Sequence, residues 1–194
     1  MKETEITVEI FNKKEEAERI LQNAGFKITE QYVLYDEYYS TLDMVDLKKC
    51  SYEKMISSSV VVRKVIKSAG VKQTLVYKEK TVDKNGFVIA EEKTSVDVSD
   101  FEKTCTVLKK AGLTNWCNCL NKSTVFEKEF SFALQEIDGL GLFLEIEEDE
   151  SLSALTAEQK TEKLIKRAKS LGLKTGDDYS VKKNYLLFKN KTDI

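Results

Sequence analysis

The stretch LQEIDGLGLFLEIE, residues 134–147, carries the most regular structural pattern in the sequence. Gly139 and Gly141 predict a tight connection that leads into a β-strand. Successive side chains of a strand point to opposite faces, so one face of this strand is apolar and the other presents two carboxylates. The apolar face carries Leu142, Leu144 and Ile146, and the other face carries Phe143, Glu145 and Glu147.

The N-terminal segment repeats this alternation. Thr4, Ile6, Val8 and Ile10 share one face of a predicted strand, and Glu3, Glu5, Thr7 and Glu9 share the other. Both strands therefore place carboxylates at positions i and i+2. The predicted strands between them in the sequence carry three cations, which are Arg63, Lys78 and Lys122.

Two interpretations fit these charged faces. In the first, they are the solvated outer side of an ordinary sheet. In the second, the sheet is a barrel turned inside out, with helices covering the apolar faces and polar side chains lining a cavity. Such a cavity would suit a metal–polyphosphate ligand, because carboxylates hold Mg²⁺ or Mn²⁺ and Lys and Arg bind phosphate oxygens. Alternation alone does not decide between the two.

The remaining pattern predicts an α+β fold with eight strands and three helices. The strands are predicted at residues 3–11, 31–39, 60–66, 73–80, 91–98, 122–127, 129–135 and 142–148. Helices are predicted after the caps at Asn12, Ser99-Asp100 and Thr156, and glycines end them at Gly25, Gly112 and Gly172. The first two helices end in similar sequences, which indicates two related halves. Eight strands with few helices predict a closed antiparallel β-barrel or a strongly curled sheet.

The composition limits the classes of function. A length of 194 residues suits a single domain over residues 1–194. Because the chain contains no histidine, catalysis by histidine and metal sites with histidine ligands are excluded. The net charge of −2 predicts no binding to nucleic acid, and no apolar run is long enough to predict a membrane span. The charged N-terminus predicts no secretory leader, and the spacing of the four cysteines fits no zinc site. The chain is therefore expected to be cytoplasmic.

Several motifs resemble those of the CYTH family, which includes class IV adenylyl cyclases and thiamine triphosphatases. Residues 134–147 are the most specific of them, since they closely resemble the block L-D-x-V-x-G-L-G-x-F-x-E-I-E. Glu3 to Thr7 resembles the opening ExExK signature, and residues 36–43 resemble D-x-Y-Y-D-T-P-D. Further matches are VVVR at 60–63 to L-R-I-R, TLVYK at 74–78 to L-T-Y-K, KST at 122–124 to K-x-R, and NYLL at 184–187 to S-Y-x-x-L-L.

This resemblance implies a triphosphate-tunnel barrel that uses Mg²⁺ or Mn²⁺. The implied substrates are ATP, thiamine triphosphate or tripolyphosphate, which the family hydrolyses or, for ATP, converts to cyclic AMP and pyrophosphate. Glu3, Glu5, Glu145 and Glu147 would hold metal or water, with Glu3 and Glu5 as catalytic residues. Arg63, Lys78, Lys80 and Lys122 would bind the phosphates. The class IV cyclases also imply a homodimer.

The chain departs from the family at several positions that bind the substrate or metal. Thr7, Val61 and Thr124 replace cations, and Gln135 and Ser40 replace aspartates. Four lysines close to the matched positions could replace lost cations: Lys64, Lys80, Lys93 and Lys128. Lys80 and Lys128 share the strand face of a matched lysine, whereas alternation turns Lys64 away from the face of Arg63. Lys182 or Lys183 could reach in from the C-terminal segment. Two hypotheses follow: a metal-dependent enzyme on triphosphorylated substrates, or a CYTH-fold protein without catalysis that binds another anion or a protein partner. A purely structural domain is a third.

Overall fold

A computed structural model of the chain describes residues 4–51, 54–55, 58–82 and 88–192, and these residues form an eight-stranded antiparallel sheet. The strands are β1 (Glu5–Ile10), β2 (Lys27–Ser40), β3 (Ser58–Lys67), β4 (Gly70–Val82), β5 (Val88–Asp97), β6 (Thr114–Glu127), β7 (Ser131–Ile137) and β8 (Gly141–Glu147). They lie in the order β1-β8-β7-β6-β2-β3-β4-β5. The predicted α+β class with eight antiparallel strands is confirmed.

Five helices accompany the sheet in the described part of the chain. They are α1 (Lys14–Asn23), α2 (Met44–Lys49), α3 (Phe101–Lys110), α4 (Ala157–Ser170) and α5 (Lys183–Thr192), with a 3₁₀ turn at Glu150–Leu152 before α4. The cap predicted at Thr156 forms and closes a capping box with Gln159. The box predicted to begin at Ser99 is displaced by one residue, because the cap of α3 is Asp100, whose carboxylate accepts a bond from the Lys103 N–H. The cap predicted at Asn12 is wrong, because the amide oxygen of Asn12 instead accepts a bond from the Lys174 N–H at 2.7 Å. None of these helices has the length and apolar character needed to cross a membrane.

The two halves predicted from the sequence are visible in the strand order. The first half runs β1-α1-β2-β3-β4, with α2 between β2 and β3, and the second runs β5-α3-β6-β7-β8. In the sheet, β6 and β2 pair at the centre. Outward from this pair, β7, β8 and β1 follow on one side, and β3, β4 and β5 follow in the equivalent places on the other. An approximate two-fold axis between β6 and β2 therefore relates the halves.

The apolar strand faces point outward, under the helices. Ile6, Val8 and Ile10 of β1 pack with Leu144 and Ile146 of β8 in a core that α1 and α4 cover. On the other half, Phe101 and Cys105 of α3 cover Tyr39 and Val62. The inside-out arrangement is thus the one that forms, because the helices leave only the polar strand faces for the interior.

A second apolar cluster fills one end of the barrel. Its members are Leu47, Met55, Trp116, Cys117, Cys119, Ile137, Phe143, Leu187 and Phe188. Trp116 contacts the ring of Phe188 at a centroid distance of 5.8 Å, so α5 is held against β6. The lysine-rich C-terminal stretch is therefore a packed helix at the closed end. All four cysteines are free thiols.

The edges of the sheet, β1 and β5, meet at a seam. No backbone ladder joins these two strands in the described ranges, but Lys80 on β4 contacts Glu5 on β1 at 3.0 Å. The free edge of β1 bonds to the segment that precedes α5, through Thr7 N–H to Tyr179 O and Val181 N–H to Thr7 O, both at 3.1 Å. This segment covers a sheet edge that would otherwise be unpaired.

The outer apolar layer is expected to carry the stability. Leu144→Ala removes a fully buried side chain from the α1/α4 core and should lower the free energy of unfolding by about 2–5 kcal/mol, measured by urea denaturation. Val107→Ala, at an α3 side chain that is 63% exposed, is the matched control and should change it by less than about 0.5 kcal/mol. Equal effects of the two substitutions would contradict this assignment of the core.

Candidate functional site

A polar cavity of about 210 Å³ lies inside the barrel, between the apolar end and the seam. Inward-facing residues of the strands line it, together with the segment that enters α5. Its cations are Arg63, Lys78, Lys80, Lys93, Lys182 and Lys183, and its carboxylates are Glu5, Asp36, Glu91, Glu145 and Glu147. The described lining therefore has a positive excess, although the whole chain has a net charge of −2.

The wall formed by β3, β4 and β5 holds most of the cations around one buried carboxylate. Glu91 is 5% exposed, and its carboxylate lies 3.7 Å from Lys78, 3.3 Å from Lys80 and 2.6 Å from Lys93. Burial would raise the pKa of Glu91, but Lys80 and Lys78 outweigh it and lower the pKa. Glu91 therefore stays ionised and holds three ammonium groups together.

The two β4 lysines titrate differently. Burial, with the positive charges of Arg63 and Lys80, lowers the pKa of Lys78 to about 8. Burial acts on Lys80 in the same direction, but Glu5 and Glu91 outweigh it and raise the pKa of Lys80 above its usual value. Of the two, Lys78 is the cation whose charge is less compensated, and an added anion would relieve that deficit.

Arg63 is fixed by a bidentate ion pair with Asp36, its cross-strand partner on β2. Nε and Nη2 of Arg63 donate to the two carboxylate oxygens at 2.8 and 2.6 Å, and Tyr38 Oη donates to Asp36 at 3.3 Å. Asp36 is 1% exposed, whereas the Arg63 side chain is 27% exposed. The ion pair fixes the orientation of the guanidinium group, and its remaining N–H donors are directed at the cavity.

The opposite wall, formed by β1, β7 and β8, carries the carboxylates. Glu5 and Glu147 are direct cross-strand partners, as are Thr7 and Glu145. Burial would raise the pKa of Glu5, but Lys80, and to a lesser extent Lys182 and Lys183, lower it far below its usual value. Glu145 accepts a bond from Gln135 Nε2 at 3.0 Å and contacts the ammonium of Lys183.

These carboxylates can hold a single divalent ion. No group of three Asp, Glu or Cys side chains placed to hold a metal occurs in the described ranges. Mg²⁺, however, is usually held by one or two carboxylates together with substrate phosphates. Glu5 and Glu147 could form such a pair, because they are cross-strand partners that both line the cavity. Glu5 also contacts Lys80 at 3.0 Å, and Glu145 is held between Lys183 and Gln135.

The structure brings most of the predicted site residues into this one cavity. They are Glu5, Arg63, Lys78, Lys80, Glu145 and Glu147. Glu3 lies outside the described residues. Lys122 does not line the cavity: its side chain is exposed on the outer face, because Asn121 and Ser123 take the inward positions of β6. Thr124 faces outward with it, so β6 supplies no cation.

Sequence reasoning missed Glu91, and it left Lys93, Lys182 and Lys183 only as candidates. The alternation of Glu91 and Lys93 on β5, opposite Lys80 and Lys78, was the signal that could have placed both in the cavity. Nothing in the sequence pattern places the C-terminal lysines, because their position depends on the pairing of residues 179–181 with β1.

A second opening lies at the other end of the barrel, near the β3–β4 turn. This opening, of about 610 Å³, shares Tyr32 and Leu34 with the polar cavity. The rest of its lining combines aliphatic residues with three charged ones: Val65, Ala69, Gly70, Val71 and Val125, with Glu30, Lys67 and Lys72. The tyrosines of β2 divide accordingly: Tyr32 and Tyr38 face the interior, and Tyr35 and Tyr39 pack under α3.

The buried Asp36–Arg63 pair yields a stability prediction. Arg63→Met leaves the Asp36 carboxylate buried without its cation and should cost about 3–5 kcal/mol in the free energy of unfolding. The double variant Asp36→Asn/Arg63→Met removes both charges and should recover much of this loss, as measured by urea denaturation. A double variant as unstable as the single one would show that the lost packing of Arg63, rather than the unpaired charge, sets the cost.

The sequence matches no protein-family model and no curated protein. Its fold, however, is shared by solved structures along almost the whole chain. The PH1819 protein from Pyrococcus horikoshii OT3 is 19% identical, with a TM-score of 0.70 over 97% of this chain and 98% of that one. A candidate adenylate cyclase from Vibrio parahaemolyticus is 16% identical, with a TM-score of 0.65 and coverage of 97% and 98%. HpAC1 from Hippeastrum, a candidate adenylyl cyclase with a dominant triphosphatase activity, is 17% identical, with a TM-score of 0.62 and coverage of 98% and 96%. These likenesses establish a CYTH-like fold.

Proposed function

We propose that the chain binds the triphosphate group of a small molecule in the polar cavity and cleaves it with the help of Mg²⁺ or Mn²⁺. The observation that carries this proposal is the pairing, in one cavity, of a cationic wall with the opposed carboxylates Glu5 and Glu147. The names of the Vibrio and Hippeastrum proteins support it, since they refer to adenylate cyclase and triphosphatase activities.

The cationic wall would bind the phosphates without losing its own structure. A lysine ammonium has three donors, so Lys78, Lys80 and Lys93 can each keep a contact with Glu91 and still donate to a phosphate oxygen. Arg63 adds a donor fork that Asp36 holds in place. Fixed donors of this kind stabilise the charge that develops on phosphate oxygens during cleavage.

Glu5 and Glu147 would hold the divalent ion on the opposite wall. When bound, such an ion neutralises phosphate charge and lowers the pKa of a bound water. Glu5 is suited to the task because its depressed pKa keeps it ionised at any physiological pH. The contact between Lys80 and Glu5 would direct the phosphate and the ion to neighbouring positions.

The second opening favours a substrate with an organic group. The four residue steps of β2 from Tyr32 to Asp36 span about 13 Å at the usual strand rise. An organic group attached to the triphosphate would extend along this path toward the ring of Tyr32 and the aliphatic side chains of Val65 and Val125. ATP and thiamine triphosphate meet this description better than inorganic tripolyphosphate does.

A second candidate function is anion binding without catalysis. The observation that favours it is Gln135, a neutral residue where the resemblance implies a metal-binding aspartate, in a cavity without a described three-carboxylate group. Whether the chain forms the homodimer that the resemblance implies stays a prediction under either function.

Turnover separates the two functions. Purified protein incubated with ATP, thiamine triphosphate or tripolyphosphate, with Mg²⁺ or Mn²⁺, is expected to release phosphate, or pyrophosphate together with cyclic AMP. Glu5→Gln/Glu147→Gln should lower the rate about 100-fold or more, because it removes the carboxylates that would hold the divalent ion. The control Glu158→Gln/Glu162→Gln changes two exposed residues of α4 and should leave it unchanged. No product above the Glu5/Glu147 variant with any substrate would favour the non-catalytic function.

The affinity for tripolyphosphate should fall as the pH rises above about 8. Lys78 and Lys182 both have a pKa lowered to about 8, chiefly by burial, so they are charged below this pH and lose the charge above it. Because the anion binds the protonated lysine, each lysine should reduce the affinity by up to about one log unit per pH unit. Calorimetric titration between pH 7 and 10 would measure the slope.

The control for this titration is Lys78→Arg/Lys182→Arg. Arginine stays protonated up to about pH 12, so the variant should bind with a nearly constant affinity across the range. A decline as steep as that of the unaltered chain would mean that other groups cause it.

A further inference from the structure

Lys183 contacts two cavity oxygens of the kind that bind metal ions. It is the first residue of α5, and its ammonium lies between Oε1 of Gln135 and Oε2 of Glu145. The other oxygen of Glu145 accepts a bond from Gln135 Nε2 at 3.0 Å. An amide oxygen and a carboxylate oxygen are the donors that Mg²⁺ and Mn²⁺ prefer, and here they bind an ammonium.

The backbone fixes Lys183 from both sides. Two residues before it, the N–H of Val181 donates to Thr7 O on β1 at 3.1 Å. Four and five residues after it, Leu187 and Phe188 are buried in the apolar cluster at 6% and 1% exposure. The lysine is therefore held over Glu145 by a strand edge and a helix, and it is not the tip of a loose tail.

The charges of the surrounding residues match a monovalent cation. Gln135 is neutral and 3% exposed, so Glu145 is the carboxylate that Lys183 contacts at this point. The cross-strand partner of Glu145 is Thr7, which brings no charge from β1. Besides Lys183, the charges of Arg63 and Lys80 act on Glu145, so its single negative charge is already matched by cations. A divalent ion would call for a second carboxylate, such as an aspartate at position 135.

We propose that Lys183 is a built-in cation that replaces a divalent metal ion at Glu145, so that the cavity takes one divalent ion, at Glu5 and Glu147, and not two. This inference rests on the proposed function of the cavity. The ammonium keeps a third donor for a phosphate oxygen, so it acts on the triphosphate as a second ion would. Because the lysine is tethered to the chain, this part of the site stays occupied at any concentration of free metal.

Counting bound Mn²⁺ on the full-length chain tests the inference. Electron paramagnetic resonance of free Mn²⁺, without any triphosphate present, gives the number bound per chain. Lys183→Met/Gln135→Asp removes the ammonium and supplies the second carboxylate, and it should bind one more Mn²⁺ per chain than the unaltered protein. Lys166→Met/Gln135→Asp, in which an exposed α4 lysine is changed, is the matched control and should gain none, since Lys183 still occupies the position.

A second variant keeps the test valid if the double substitution disturbs folding. In the otherwise unaltered chain, Glu145→Gln should leave the Mn²⁺ count unchanged, because Glu145 is engaged by Lys183. A count that falls by one in Glu145→Gln would overturn the inference. So would a Lys183→Met/Gln135→Asp variant that keeps the thermal unfolding midpoint of the unaltered chain but gains no ion.

The Mn²⁺ count tests the role of Lys183, and the turnover assay tests the proposed activity, so either proposal can be overturned without the other. A gain of one ion in Lys183→Met/Gln135→Asp by a protein that cleaves no triphosphate would support the built-in cation and remove the proposed activity. Metal-dependent turnover by the unaltered chain, with no gain of an ion in that variant, would support the activity and overturn the role of Lys183.

Discussion

The contact between Lys80 on β4 and Glu5 on the edge strand β1 spans the seam of the sheet and also links the two charged walls of the cavity. Lys80 lies 3.0 Å from Glu5 across the seam and 3.3 Å from Glu91 on its own wall. A barrel lined with charges can fold only if each buried charge has an opposite partner, because an unpaired one costs several kcal/mol. This lysine meets that requirement for two carboxylates, and its raised pKa follows from them.

Such ion pairs do not by themselves explain why the chain folds. Replacing buried ion pairs by apolar residues is often neutral or stabilising, so the charged interior is a cost that other contacts must offset. The offset comes from the outer strand faces, where Ile6, Val8 and Leu144 are almost completely buried under α1 and α4. The usual division of a β-barrel is thereby reversed: the stabilising core lies between sheet and helices, and the interior is left for ligand chemistry.

The sequence predicted those parts of the structure that depend on local pattern. Strict alternation identified β1 and β8 and put Glu5, Glu145 and Glu147 on the inward face. It failed for the first half of β6, where Asn115, Asn118 and Asn121 interrupt the pattern and burial comes from α5. Lys122 was misplaced because its face depends on register with β2, and an error of one residue reverses every side chain. The helix α5 was missed since it depends on packing against Trp116, a contact distant in sequence.

The two-fold relation between the halves makes the distribution of charge informative. The strands β4 and β8 occupy equivalent places, yet β4 brings Lys78 and Lys80 to the cavity and β8 brings Glu145 and Glu147. Identical halves would line the cavity with charges of one sign, which repel one another in a buried site and suit only a ligand of the opposite sign. Opposite signs on equivalent strands let one cavity hold phosphate on one wall and a cation on the other. The symmetric fold thus provides the enclosure, and the divergence of its halves provides a site for a ligand that carries both charges.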